Sequence, residues 1–179
     1  MATDHNSEIA VSALEALRTY MYNFYPERKT QNPFPLEFWK LDDDLFYDFM
    51  NYLPVVFSVE LGALTNQTLR RLPEAIHILW PIFSLEEGYD CDGWTALTNA
   101  GSHELPLVIS AYERVGLPAE TAALKAALIS CELAPDDTDA AEAAYKSVQR
   151  EFEEDGDRRM AVILYMRKNE HLWYSYLDT

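Results

Sequence analysis

Residues 105–116 read Leu-Pro-Leu-Val-Ile-Ser-Ala-Tyr-Glu-Arg-Val-Gly, and their spacing decides the fold class. Leu105, Val108, Ile109, Tyr112 and Val115 recur at i, i+3, i+4, i+7 and i+10, the period of one buried helix face. Pro106 suits a first helical turn, where its missing N–H forfeits no hydrogen bond, and Gly116 suits the left-handed residue that closes a helix. Downstream, the same punctuation predicts a helix from Pro118 to Leu133 and another from Thr138, whose hydroxyl is placed to cap the freed amides. That helix has an apolar stripe of Ala141, Ala144, Tyr145, Val148 and Phe152 opposite Asp139, Glu142, Lys146, Arg150 and Glu153. A final helix is expected over 157–173, apolar on more than one face between Met160 and Met166. Upstream, Pro73, Ile76, Leu79, Trp80 and Phe83 predict a helix reaching toward Gly88, kinked or divided at Pro81.

The N-terminal third is less regular. Ala10, Ala13, Leu14, Leu17, Met21 and Phe24 predict a helix over 7–25 with Ser7 as its cap, and Pro26, Pro33 and Pro35 make the following stretch a loop. Residues 42–53 and 54–61 read as two short helices divided by Pro54, with a strand over Val55–Val59 as the alternative. Ala and Leu number 42 against 15 for Val and Ile, a balance that favours helices. The expectation is an all-α protein, a single compact multi-helix domain of about eight to ten helices. A helical N-terminal segment, 1–71, is expected to pack on a main domain, 72–179.

Charge bounds the function. Thirty Asp and Glu face 14 Lys and Arg among 179 residues, a formal net charge of −16. Binding to nucleic acid phosphates or an anionic membrane needs clustered cations that this sequence lacks, so a basic partner is the complementary expectation. The first residues show no basic stretch followed by an apolar run, no window is apolar enough to span a membrane, and Cys91 and Cys131 are expected to stay reduced. These features predict a soluble, cytoplasmic protein. His5, His77, His103 and His171 form no metal-binding pair, Asp90-Cys91-Asp92-Gly93 lacks the carboxylates of a calcium loop, and no phosphate cradle or nucleophile elbow is present. No catalytic residue, metal or cofactor is therefore expected.

The acidic residues carry the functional reading. Up to residue 80 there are 11 acids and 6 bases, beyond it 19 and 8. Glu142 with Lys146, Glu154 with Arg158 and Asp155 with Arg159 are i, i+4 pairs and are set aside as locally neutralised. Asp42, Asp43, Asp44 and Asp48 have no such neighbour, nor do Glu86, Glu87, Asp90 and Asp92, nor Asp136, Asp137 and Asp139. Glu86 with Asp90 would even repel on a helix. These eleven residues are the candidate partner-binding set. Some of them also suit helix N-termini through the helix dipole, which leaves a carboxylate exposed and able to meet a cation.

A resemblance sharpens this expectation. Ser84-Leu85-Glu86-Glu87-Gly88-Tyr89, Asp92-Gly93-Trp94 followed by Asn99-Ala100-Gly101, Ala111-Tyr112-Glu113-Arg114-Val115-Gly116-Leu117 and Leu164-Tyr165-Met166-Arg167-Lys168 are the residues that carry it. With them, residues 72–173 resemble the C-terminal domain of the DNA-mimic protein family of the DMP type. Cys91-Asp92 stands where Asn-Gly is usual in that family, and Ala96 stands near its expected Gln. The resemblance implies an all-α protein whose carboxylates imitate DNA phosphates, bind the DNA-contacting face of a transcription regulator or nucleoid protein, and keep it off DNA. It brings no catalytic residue or cofactor. A homodimer is compatible with it.

Three other readings share the composition. An immunity protein would turn the same acidity against a basic nuclease toxin. A helical adaptor would bind through apolar residues among Phe34, Phe38, Trp39, Phe46 and Tyr47. A hydrolase would show a cleft with a histidine beside an acid.

Overall fold

The computed structural model describes residues 38–44, 46, 47, 50, 73–149 and 155–173. Within them are five α-helices: α1 (Glu74–Asp92), α2 (Thr95–Val115), α3 (Pro118–Leu133), α4 (Thr138–Lys146) and α5 (Asp155–Lys168). Short 3-10 turns cover Phe38–Lys40 and Glu170–Trp173, and the described residues contain no strand. The fold is all-α where it is described. The expected helix over 7–25, the loop after it and the alternatives over 51–61 lie outside the described residues.

Two compact units divide the chain. Ile78–Arg158 forms one, and Met1–His77 with Arg159–Thr179 forms the other.

In the 78–158 unit the local signals largely operate as written in the sequence. Helix α3 starts at Pro118 and ends at Leu133. Gly116 closes α2 at φ 88°, with its N–H on the Glu113 and Tyr112 carbonyls. Two expectations are corrected upstream. Helix α1 is not divided at Pro81 and continues beyond Gly88 to Asp92. A Cβ at Gly88 would stand 3.0 Å from that of Ala96, so the bare position lets α1 and α2 approach closely. Helix α2 starts at Thr95, well before Pro106. Its backbone kinks at Gly101, where φ 45° and ψ −151° are non-helical, so two helical segments meet there and Pro106 lies near the start of the second.

The cap of α4 is also corrected. Asp137 supplies it, its Oδ1 accepting from the Ala140 N–H at 2.9 Å. Thr138 is the first helical residue, and its hydroxyl shares a 3.2 Å hydrogen bond with that of Thr98. The helix stops at Lys146, with the Ser147 hydroxyl on the Ala144 carbonyl, so the expected stripe ends before Val148.

The core of this unit is the inward face of each helix: Leu79, Ile82 and Leu85 from α1, Leu105, Val108 and Tyr112 from α2, Leu124 and Ala127 from α3, Tyr145 from α4. In the other unit, Leu41, Phe46, Met50 and Trp173 are buried, and Trp39 meets Trp173 edge-on at 6.0 Å. No helix among the described residues is long and apolar enough to cross a membrane.

Candidate partner-binding surface and the buried charge cluster

Five helices meet on one buried arginine. Arg158, at the start of α5, sends Nε to Glu86 Oε1 at 2.7 Å and Nη2 to Glu86 Oε2 at 2.8 Å, a two-pronged bond to a carboxylate on α1. Its Nη1 lies 3.7 Å from Glu120 Oε2 on α3 and 3.5 Å from the Tyr145 hydroxyl on α4. Tyr112 of α2 donates to Glu86 at 2.7 Å, and Tyr145 donates to Glu120. Exposure is 3 % for Glu86, 4 % for Glu120 and 2 % for Arg158. Two carboxylates thus face one guanidinium out of reach of water, and two phenols share the load. Buried charges persist only when paired and hydrogen-bonded in this way.

Aromatic rings border the cluster. Tyr89 and Trp94 meet at 5.4 Å and 70°, Trp94 and Tyr145 at 5.3 Å, and Lys146 Nζ stands 4.8 Å from the Trp94 ring centre. Trp94 therefore serves packing, as its place in the Gly93-Trp94 turn suggests.

Electrostatics follow the geometry. Burial opposes the charge of Arg158, but its hydrogen bonds to Glu86 and the nearby Tyr112 and Glu120 more than offset this and raise its affinity for the proton above the ordinary value. Burial raises the Tyr112 hydroxyl well above its usual range, and Glu86 adds to it. Burial raises Tyr89 too, with Tyr145 and Glu120 adding. The folded state holds these two protons more tightly than the unfolded chain does, so their stabilisation is complete below about pH 10 and is lost as pH rises above it. A spectrophotometric titration is expected to show two classes of tyrosine. Tyr89 and Tyr112 form the late class, which ionises only as the 78–158 unit unfolds. Smooth ionisation of every tyrosine in a folded protein would contradict this.

Glu86 is accordingly corrected from surface group to core group. It was legible in the sequence after all: Ala75, Leu79, Ile82, Glu86 and Tyr89 fall on one 3.6-residue stripe. Glu120 shares a stripe with Ala123, Leu124, Ala127 and Cys131, and Arg158 with Val162 and Met166. A charged residue on an apolar stripe signals a buried partner, but pairing residues 86 and 158 needs the tertiary fold. Arg158 was assigned to Glu154, which lies outside the described residues.

The other sequence candidates divide by unit. Asp43 is bound by Arg167, which also reaches the Leu41 and Asp42 carbonyls, so it is a neutralised structural acid and not a free one. Asp42 and Asp44 are exposed, and Asp48 lies outside the described residues. In the 78–158 unit, Glu87, Asp90, Asp92, Asp136, Asp137 and Asp139 are all exposed. Asp92 Oδ2 accepts from Asn99 Nδ2 at 3.5 Å, the neighbouring Thr98 bonds Thr138, and Thr138 stands between Asp137 and Asp139. The end of α1 and the start of α4 are thus each held to α2, Asp92 through Asn99 and Thr138 through Thr98. An open depression of about 580 Å³ is lined by Ala134 to Asp139 in the α3–α4 turn. Glu87, Asp92, Asp136, Asp137 and Asp139 meet no Lys or Arg among the described residues. Glu142 is bound by Lys146, as the sequence spacing predicts.

Other chemistry is sparse among the described residues. No three His, Cys, Asp or Glu are grouped to hold a metal ion. Cys91 is exposed and free. Cys131 is free and buried, its thiol on the Leu97 carbonyl at 3.6 Å and pushed upward in pKa by burial. Of the apolar set, Phe46 is fully buried, Trp39 and Tyr47 are half-buried, and Phe34 lies outside the described residues.

No family model, no curated protein and no solved structure matches this chain.

Proposed function

We propose that this protein acts in the cytoplasm as an acidic binder of a basic DNA-binding protein, presenting carboxylates where that protein would otherwise hold phosphates. The observation that carries this reading is that Asp92, Asp136, Asp137 and Asp139 are exposed and meet no Lys or Arg among the described residues. Arginine forks accept carboxylate and phosphate alike, so an array of acids can occupy a DNA-contacting face. Asp137 is fixed by its capping bond to Ala140, which gives the array one rigid member. The resemblance of residues 72–173 to the DNA-mimic family supports the same reading. Asp42 and Asp44 are proposed as a second set of contacts on the other unit. Glu86 and Asp43 take no part.

Such binding is steered by charge and weakens steeply with salt. Immobilised protein is expected to retain a basic DNA-binding protein from a cell lysate at low salt, release it along a salt gradient, and lose it to competing duplex DNA. Asp136→Asn with Asp139→Asn, which spares the cap, is expected to weaken retention about tenfold. Failure to retain any basic protein at low salt would overturn the reading. Retention that duplex DNA cannot displace would overturn the imitation of DNA while leaving an acidic binder.

A further inference from the structure

Helix α3 is apolar on both sides. Its inward side buries Ala123, Leu124, Ala127 and Cys131, yet Ile129 is 59 % exposed and Leu133 83 % exposed on the outside. Ala122, Ala126, Ile129 and Leu133 follow one another at i, i+4, i+7 and i+11, a single stripe along the helix. A solvated helix surface would carry polar residues at those positions.

The stripe runs directly into the acidic surface. Glu132 is exposed beside Leu133, and one turn of chain further on stand Asp136, Asp137 and Asp139. At its start, a shallow cavity of about 320 Å³ is lined by Glu113, Gly116, Pro118, Thr121, Ala122 and Lys125. A second copy of this chain would bring the same acids, and a net charge of −16, against that surface. Charge complementarity instead selects an occupant with an apolar ridge and basic flanks.

We infer that the outward stripe of α3 docks a cationic amphipathic helix of the partner. Its leucine-like ridge lies over Ala126, Ile129 and Leu133, and its lysines or arginines reach Glu132, Asp136 and Asp139. The stripe from Ala122 to Leu133 extends about 16 Å at 1.5 Å rise per residue, so a partner helix of about three turns covers it. This rests on the reading of the protein as a binder of basic partners, and it adds an apolar anchor that phosphate imitation alone does not need.

The test uses the full chain and two synthetic peptides of identical Leu and Lys composition. One places its leucines at i, i+3, i+4 and i+7, and the other spreads them around the helix. Fluorescence anisotropy is expected to show the ordered peptide binding at least tenfold tighter, with that ratio kept at high salt. Ile129→Ser with Leu133→Ser is expected to abolish the ratio while leaving the weak, salt-sensitive binding of the spread peptide unchanged. Both positions are exposed, so the fold is expected to persist, and circular dichroism checks it. Equal binding of the two peptides, or a ratio indifferent to the serine pair, would overturn the inference. So would a wild-type dimer in sedimentation that the serine pair converts to monomer, since the occupant would then be a second copy. Failure of DNA to displace a captured protein sinks the imitation of DNA alone and leaves the peptide result standing.

Discussion

Replacing Arg158 with methionine is expected to destabilise the 78–158 unit by about 3–5 kcal/mol, the loss typical of removing one partner from a buried ion pair. Methionine fills much of the volume, so the loss reports charge and not a cavity. Glu86 would keep its bond from Tyr112 and Glu120 its bond from Tyr145, but both buried carboxylates would lose the guanidinium they share. Against a total stability of about 5–15 kcal/mol, that is enough to leave a sizeable unfolded fraction. Urea unfolding followed by circular dichroism measures it. Arg158→Lys is expected to fall between, because an ammonium cannot reproduce the fork that engages both Glu86 oxygens. Glu86→Met combined with Arg158→Met is expected to be less damaging than the sum of the single changes, since the pair leaves together. Losses under 1 kcal/mol for Arg158→Met would show that water reaches the cluster.

Gly101→Ala is expected to destabilise by about 1–3 kcal/mol through the backbone alone. At φ 45° and ψ −151° the residue occupies a region that side-chain-bearing residues rarely adopt, and a Cβ there would meet nothing within 4 Å. There is no steric clash to relieve by repacking, so the torsional strain persists. The melting temperature is expected to fall by roughly 2–12 °C, at about 2–4 °C per kcal/mol for a chain of this size. Ser102→Ala, at the exposed neighbouring position, is expected to change stability by no more than about 0.5 kcal/mol. An unchanged melting temperature for Gly101→Ala would mean that α2 can pass through residue 101 as regular helix.

These two sites also mark what one-dimensional reasoning can reach. Pro118 and Leu133 bound α3 because proline and the polar turn after residue 134 act locally, and Gly116 closes α2 for the same reason. The start of α2 was hidden because Pro106 imitates a first-turn proline, whereas the real interruption is at Gly101, five residues earlier. Asp137 displaced Thr138 as cap because a carboxylate competes with a hydroxyl one residue away for the same amides. The acidic surface was legible as composition around Asp136 to Asp139. The tie of α4 to α2 was not, since that depends on a Thr98–Thr138 bond spanning 40 residues. Glu86 was misassigned because its counter-ion lies 72 residues away. The exposed α3 stripe was hidden by its own helix, because apolar residues on both faces read simply as a buried segment until burial is known.

The arginine at the centre of the cluster is also the last of its members to leave the ribosome. Glu86, Tyr112, Glu120 and Tyr145 all precede it, and translation delivers them first. A nascent chain that ends before residue 158 already holds both carboxylates but not the guanidinium they share in the folded unit. The guanidinium that both carboxylates share in the folded unit thus belongs to its C-terminal residue, and a fragment that ends at residue 157 lacks it.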